Sequence, residues 1–281
     1  MALTEAGREL TEEHRIAQLA IGAQGAVNSE ALWQLLDPND IDGSRARWLA
    51  ASVHAAELTF ATSATAASLY VASYQAVEVP GSDRVVLQPR FSKSKVATDL
   101  DLAGPQYMKS LIRKGYSPHD AHSHARSRIL GLGRKHTMDG GRGLIDRTAS
   151  NDRRSIGYRR VTGPDPCTFC AMLASRGAVF GSQRQHSVYS SEETALLRAS
   201  DGKKYHLHCN CTAEIVYGDW VPTPEEQVYV DAYARAAAQA DAEKLPRTQE
   251  NILHLMRADD QAGFRDNLTR RRKTPLADSE G

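Results

Sequence analysis

The sequence predicts an α+β protein: a long-helix N-terminal half, a small mixed α/β module, and a C-terminal helix. Three observations carry this. A hydrophobic stripe of helical period runs through residues 44–76, the texture changes to short β-like pieces after Asn151, and all four cysteines fall between Cys167 and Cys211. With 281 residues, 41% hydrophobic and 25% charged, the chain can bury one large or two modest cores. The expected division is a helical domain over 1–150, a cysteine/histidine module over 151–222, and a C-terminal helix with a basic tail over 223–281.

Within the first region, Leu49, Val53, Ala56, Phe60, Ala64, Ala67, Val71 and Tyr74 recur in steps of four and three, the period of an α-helix. The small Ala64 and Ala67 invite close approach by a second helix, for which segments around Thr4–Ile21 and Glu30–Leu36 are the candidates. Val79-Pro80-Gly81-Ser82-Asp83 breaks the pattern, and Phe91–Lys95 reads as a polar linker. Ser117-Pro118-His119-Asp120 then supplies a cap, a proline at the first helical position and an acid in the first turn, so a helix is expected toward Leu132. The glycines at 131, 133, 140, 141 and 143 mark helix ends or loops. No Gly-Lys-Ser/Thr follows them, so they are not a phosphate loop.

Short strands are expected at Gly157–Val161, Ala178–Phe180 and Ala213–Tyr217. Thr223-Pro224-Glu225-Glu226 reads as a capping box opening a helix from Val228 to Lys244, and Asn251–Ala258 adds another.

The charge is uneven, with net values of −6 over residues 1–80, +10 over 81–160 and −3 over 161–281. Such a dipolar chain suggests docking surfaces. Arg126, Arg128, Arg134 and Lys135, with the tail Arg270, Arg271, Arg272 and Lys273, are the candidate nucleic-acid contacts, since clustered cations displace counterions from phosphate. The other reading of the same residues is a solvated helix face and a frayed terminus. Met1–Glu9 carries acids where a signal peptide carries basic residues, and no apolar run reaches membrane-spanning length; neither export by that route nor a membrane anchor is expected.

Chemistry concentrates in Cys167-x-x-Cys170 and His206-x-His208-Cys209-x-Cys211. A two-residue gap lets a tight turn aim two ligands at one ion, and two such pairs can close a tetrahedron around Zn²⁺. Cys167 and Cys170 are the firmest ligands, Cys209 follows, and His206 or Cys211 completes the set; His208 is a supporting or unrelated group. The expected cofactor is therefore structural zinc, with disulfides or free thiols as the alternative. Pro166-Cys167-x-x-Cys170 also matches half of the zinc-deaminase motif. No histidine is followed two residues later by the glutamate those enzymes need, and there is no His-Glu-x-x-His or Gly-x-Ser-x-Gly, so an enzyme is not expected.

The stretch from Arg160 through Pro166-Cys167-Thr168-Phe169-Cys170 to Phe180, followed by Tyr205-His206-Leu207-His208-Cys209-Asn210-Cys211, resembles the Mu F-like minor head (head morphogenesis) proteins of tailed bacteriophages, particularly those infecting actinobacteria. The resemblance covers residues 155–220. It implies a minor capsid protein made in the host cytoplasm and incorporated into the virion near the portal vertex. The implied partners are the portal, scaffold or major capsid protein, with packaged DNA as a further contact. It maps the family's cysteine/histidine pattern onto Cys167, Cys170, His206, Cys209 and Cys211. Leu207 and Asn210 depart from the Pro and Arg found in many members. The alternative functions are a nucleic-acid-binding packaging accessory and a metal-dependent enzyme acting on nucleic acid or protein.

Overall fold

A computed structural model describes residues 2–178, 205–259, 261, 263 and 264. The chain is α+β and divides into two compact units: Ala2–Arg154 with a returning segment that ends at Thr212, and the residues from Ser155 and from Ala213 onward.

In the first unit, three long helices pack on one another: α1 (Glu5–Trp33), α2 (Ile41–Glu78) and α5 (Pro118–Asn151). Each opens on a side-chain cap, with Thr4, Asp40 and Ser117 accepting from the backbone N–H three residues on. The α2 stripe behaves as its period requires. Phe60, Ala64, Ala67, Val71 and Tyr74 are buried, and Leu49, Val53 and Ala56 pack partly buried against the core. Its expected partner, the helix around Thr4–Ile21, does pack on it, but the two short segments anticipated at the N-terminus are one continuous 29-residue helix.

The expected helix from Pro118 does not stop near Leu132; it runs 34 residues, through all five glycines anticipated as loops or ends. Contacts explain this. A Cβ at Gly140 would collide with the Phe60 carbonyl oxygen of α2, and one at Gly133 would sit 2.7 Å from the Gly25 carbonyl oxygen of α1. Glycine is used here for backbone-to-backbone approach, and burial outweighs its roughly 1 kcal/mol propensity cost. Polar ties fix the same seam. The Gln18 amide donates to the Ser63 carbonyl at 2.9 Å, the Ser63 hydroxyl donates to Gln18 Oε1 at 2.6 Å, and Thr59 and Thr137 hydroxyls meet at 2.7 Å.

The segment read as a linker instead begins a helix at Lys93, capped by Ser92. α3 (Lys93–Asp101) passes through a five-residue π segment (Leu102–Gln106) into α4 (Tyr107–Arg113). Pro105 lies inside that segment, where a missing N–H and a bulky ring favour a widened turn. Here Val96, Leu100, Ala103, Met108 and Leu111 join Trp33, Trp48, Ile129 and Leu132 in one core. The two tryptophans meet edge to face, with centroids 5.4 Å apart.

Two histidines are sealed into this unit. His14 stacks on Tyr70 with ring centroids 4.2 Å apart, and burial lowers its pKa to about 3; burial, then Lys135, lowers that of His136 to about 4. In the unfolded chain both titrate near 6.5, so between that value and the folded one the unfolded state binds more protons. Stability is therefore full above about pH 6.5 and falls as the pH is lowered. We expect His14→Phe, which keeps an aromatic ring on Tyr70, to shrink the stability difference between pH 7 and pH 4.5 by about 2–3 kcal/mol. Urea unfolding at the two pH values checks this, and an unchanged difference contradicts it.

In the second unit, strands β1 (Gly157–Val161) and β2 (Thr212–Val216) pair, α6 spans Thr168–Ala174, α7 spans Pro224–Ala242 and α8 spans Gln249–Ala258. Both strands fall where sequence placed them; the anticipated strand at Ala178–Phe180 lies largely outside the described residues. The Thr223/Glu226 capping box is complete. Glu226 also receives Arg159 of β1, whose guanidinium pairs with Glu214 of β2 at 2.7 Å. All three are nearly buried, so removing Arg159 would strand two carboxylates in a dry setting.

Candidate metal centre

Cys167 is the N-cap residue of α6, and Cys170 sits in the helix's first turn, 2% exposed. The x-x gap is thus a helix start, which turns both side chains toward the same end of the helix. Arg160 of β1, 1% exposed, donates from Nη1 to Cys170 Sγ at 3.8 Å. A buried cation at this sulfur favours thiolate over thiol, and thiolate is the form that binds metal.

His206–Cys211 forms the other half. Cys209 N–H donates to the His206 carbonyl at 3.2 Å, and His208 closes the turn in the left-handed region with φ of 60°. Cys211 directly precedes β2. This segment lies on α5 of its own unit: the His208 ring lies 2.8 Å from where a Gly131 Cβ would be, and Leu207 Cβ 3.0 Å from it, so a side chain at 131 would have to displace the His208 ring. Arg134 donates to the Asn210 side-chain oxygen, tying the turn to α5. His206 Nδ1 is 2.6 Å from the Leu207 carbonyl oxygen. A carbonyl only accepts, so Nδ1 carries the hydrogen; in the neutral imidazole Nε2 then keeps the lone pair that a metal would take.

Among the described residues, two sets of side chains have ligand atoms all within 4.8 Å of one another: Cys167, Cys170 and His206, and Cys170, Cys209 and Cys211. Cys170 belongs to both. Sulfurs around tetrahedral zinc lie about 3.8 Å apart, from a Zn–S distance near 2.3 Å, so these groups can hold a metal ion. Cys170, Cys209 and Cys211 are buried, Cys167 and His206 partly so, and none of the four cysteines is in a disulfide. His208 is in neither set.

The basic candidates on α5 are engaged within the protein, Arg134 with the Asn210 side chain. Arg126 pairs with Glu30 at 2.7 Å, Lys135 with Asp139 at 2.6 Å, and the Arg128 guanidinium lies 4.3 Å over the Tyr107 ring. The tail Arg270–Lys273 lies outside the described residues. Sequence reasoning missed Arg142, Arg160 and Tyr205, which surround the sulfur-bearing segments. Nothing in the local pattern marks an arginine as buried, and Gly140-Gly141-Arg142-Gly143 reads as a loop.

Fold and site together define an α+β protein of long helices with a cysteine/histidine cluster suited to a metal ion. The family model described as VG15 protein, a family of viral proteins, matches residues 5–240, and the chain belongs to that family. No curated protein and no solved structure matches the chain. Among the described residues no helix is long and apolar enough to cross a membrane.

Proposed function

We propose that the chain is a minor head component of a tailed-phage virion, of the Mu F-like head morphogenesis type, acting structurally rather than as an enzyme. The observation that carries this is membership of a viral protein family over residues 5–240. The resemblance of residues 155–220 to minor head proteins supports the finer assignment. In this reading, zinc is held by Cys167, Cys170, Cys209 and one of His206 or Cys211. When bound, it supplies folding free energy to a module whose sheet has only two five-residue strands. The metal performs no chemistry on a substrate; it fixes the loops around the cysteines in one conformation that a portal, scaffold or major capsid protein recognises.

The test is co-expression with the portal protein of the same virus, followed by affinity capture and gradient sedimentation. The chain is expected to co-sediment with the portal oligomer and to appear in a few copies in purified virions. A chain absent from virions and without portal association contradicts the proposal.

A further inference from the structure

We infer that Arg142 is a positioning residue for the metal centre: from within α5 it holds the Cys209-x-Cys211 turn in ligand-ready form. The inference rests on the metal reading above. Arg142 is 6% exposed and its guanidinium is spent on this turn. Nε and Nη2 donate to the Cys211 carbonyl at 3.0 and 2.8 Å, and Nη2 donates to the Cys209 carbonyl at 2.9 Å. Its flat face lies 3.9 Å over the Tyr205 ring, which fixes the plane of the fork, and Nη1 lies 3.4 Å from Asp139 Oδ1.

These contacts go to the carbonyls of the two cysteines themselves. Orienting both peptide planes fixes the backbone on either side of Asn210, and with it the directions of two Cα–Cβ bonds. Both thiols then point as a shared ion requires before any ion arrives. A planar guanidinium can reach two carbonyls at once while stacked; an ammonium is a single point donor and cannot reproduce that geometry. Groups of this kind that orient metal ligands typically change affinity 10–100-fold when removed. Arg142 and the turn it holds are 67 residues apart in sequence, joined because α5 continues past its glycines rather than stopping near Leu132.

The experiment uses the full chain, stripped with chelator under reducing conditions, and measures zinc affinity by competition with a chromophoric chelator and ligand identity from the cobalt(II) spectrum. The Arg142→Lys variant is expected to bind zinc 10–100-fold more weakly than the parent while keeping the same thiolate-to-cobalt charge-transfer band. A residue that only supports the fold would lower apo-protein melting and leave affinity unchanged. Zinc affinity within twofold of the parent in folded Arg142→Lys protein overturns the inference. Should that variant fail to fold, Tyr205→Leu, which retains the guanidinium and removes its stacking face, decides by the same criterion, with a loss of threefold or more expected. A parent chain that takes up no metal overturns the metal reading itself, and that outcome is distinct from an unchanged affinity in the variant.

Discussion

Cys170→Ser is expected to abolish stoichiometric zinc binding and to lower the melting temperature of the chain by more than any other single replacement at the centre. Cys170 is the one residue common to both ligand sets, so no alternative selection of ligands avoids it. The serine hydroxyl is nearly isosteric but stays protonated at neutral pH and is a poor zinc ligand, while Arg160 keeps its buried charge beside the site with no thiolate to meet it. Metal binding free energy is folding free energy where the site is not fully formed in the unfolded chain. Elemental analysis and calorimetry of the parent and variant check this. His208→Asn is the control: His208 is in neither set, and asparagine tolerates the left-handed backbone at this position, so metal content should be unchanged. Stoichiometric zinc in Cys170→Ser protein would contradict the assignment.

Gly140→Ala is expected to destabilise the helical unit by about 3 kcal/mol or more, at the upper end for overpacking. The added methyl would meet the backbone of α2 at the Phe60 carbonyl and, at 3.1 Å, the Ala64 N–H, so no side-chain rotation relieves it. The two helices must separate, loosening the Thr59–Thr137 hydrogen bond one turn away. Gly143→Ala offers the comparison on the same helix: its Cβ meets only Pro89 Cβ at 3.1 Å, and alanine's better helix propensity offsets part of that strain. Denaturant unfolding of the two variants should separate them clearly; equal stability would mean that α2 and α5 are not held at backbone contact.

Periodicity was the most legible signal in the sequence. The α2 stripe identified both the helix and its buried face, because a two-sided environment leaves a 3.6-residue imprint. The capping residues at Ser117 and Thr223 marked helix starts for a local reason, since the cap is a hydrogen bond three residues long. The helix stop at Leu132 failed because a glycine's meaning depends on its neighbour: at 133 and 140 the deciding atoms are the carbonyls of Gly25 and Phe60, more than 75 residues away in the chain. Likewise Phe91–Lys95 reads as linker because it is polar, although α3 starts within it at Lys93 and goes on to bury Val96 and Leu100 in the core that holds Trp33 and Trp48. The clustered cysteines are visible from spacing alone. Arg142 and Arg160 are not, because what makes them part of the site is burial and a carbonyl or sulfur reached through the fold.

The metal centre is tested most directly by the metal content of the full chain, purified under reducing conditions without added chelator, by elemental analysis together with its cobalt-exchanged absorption spectrum. About one zinc per chain is expected and, after exchange, the intense thiolate-to-cobalt bands of a tetrahedral site rich in sulfur. A folded chain that carries no metal, takes none up, and melts identically with and without chelator would contradict that expectation.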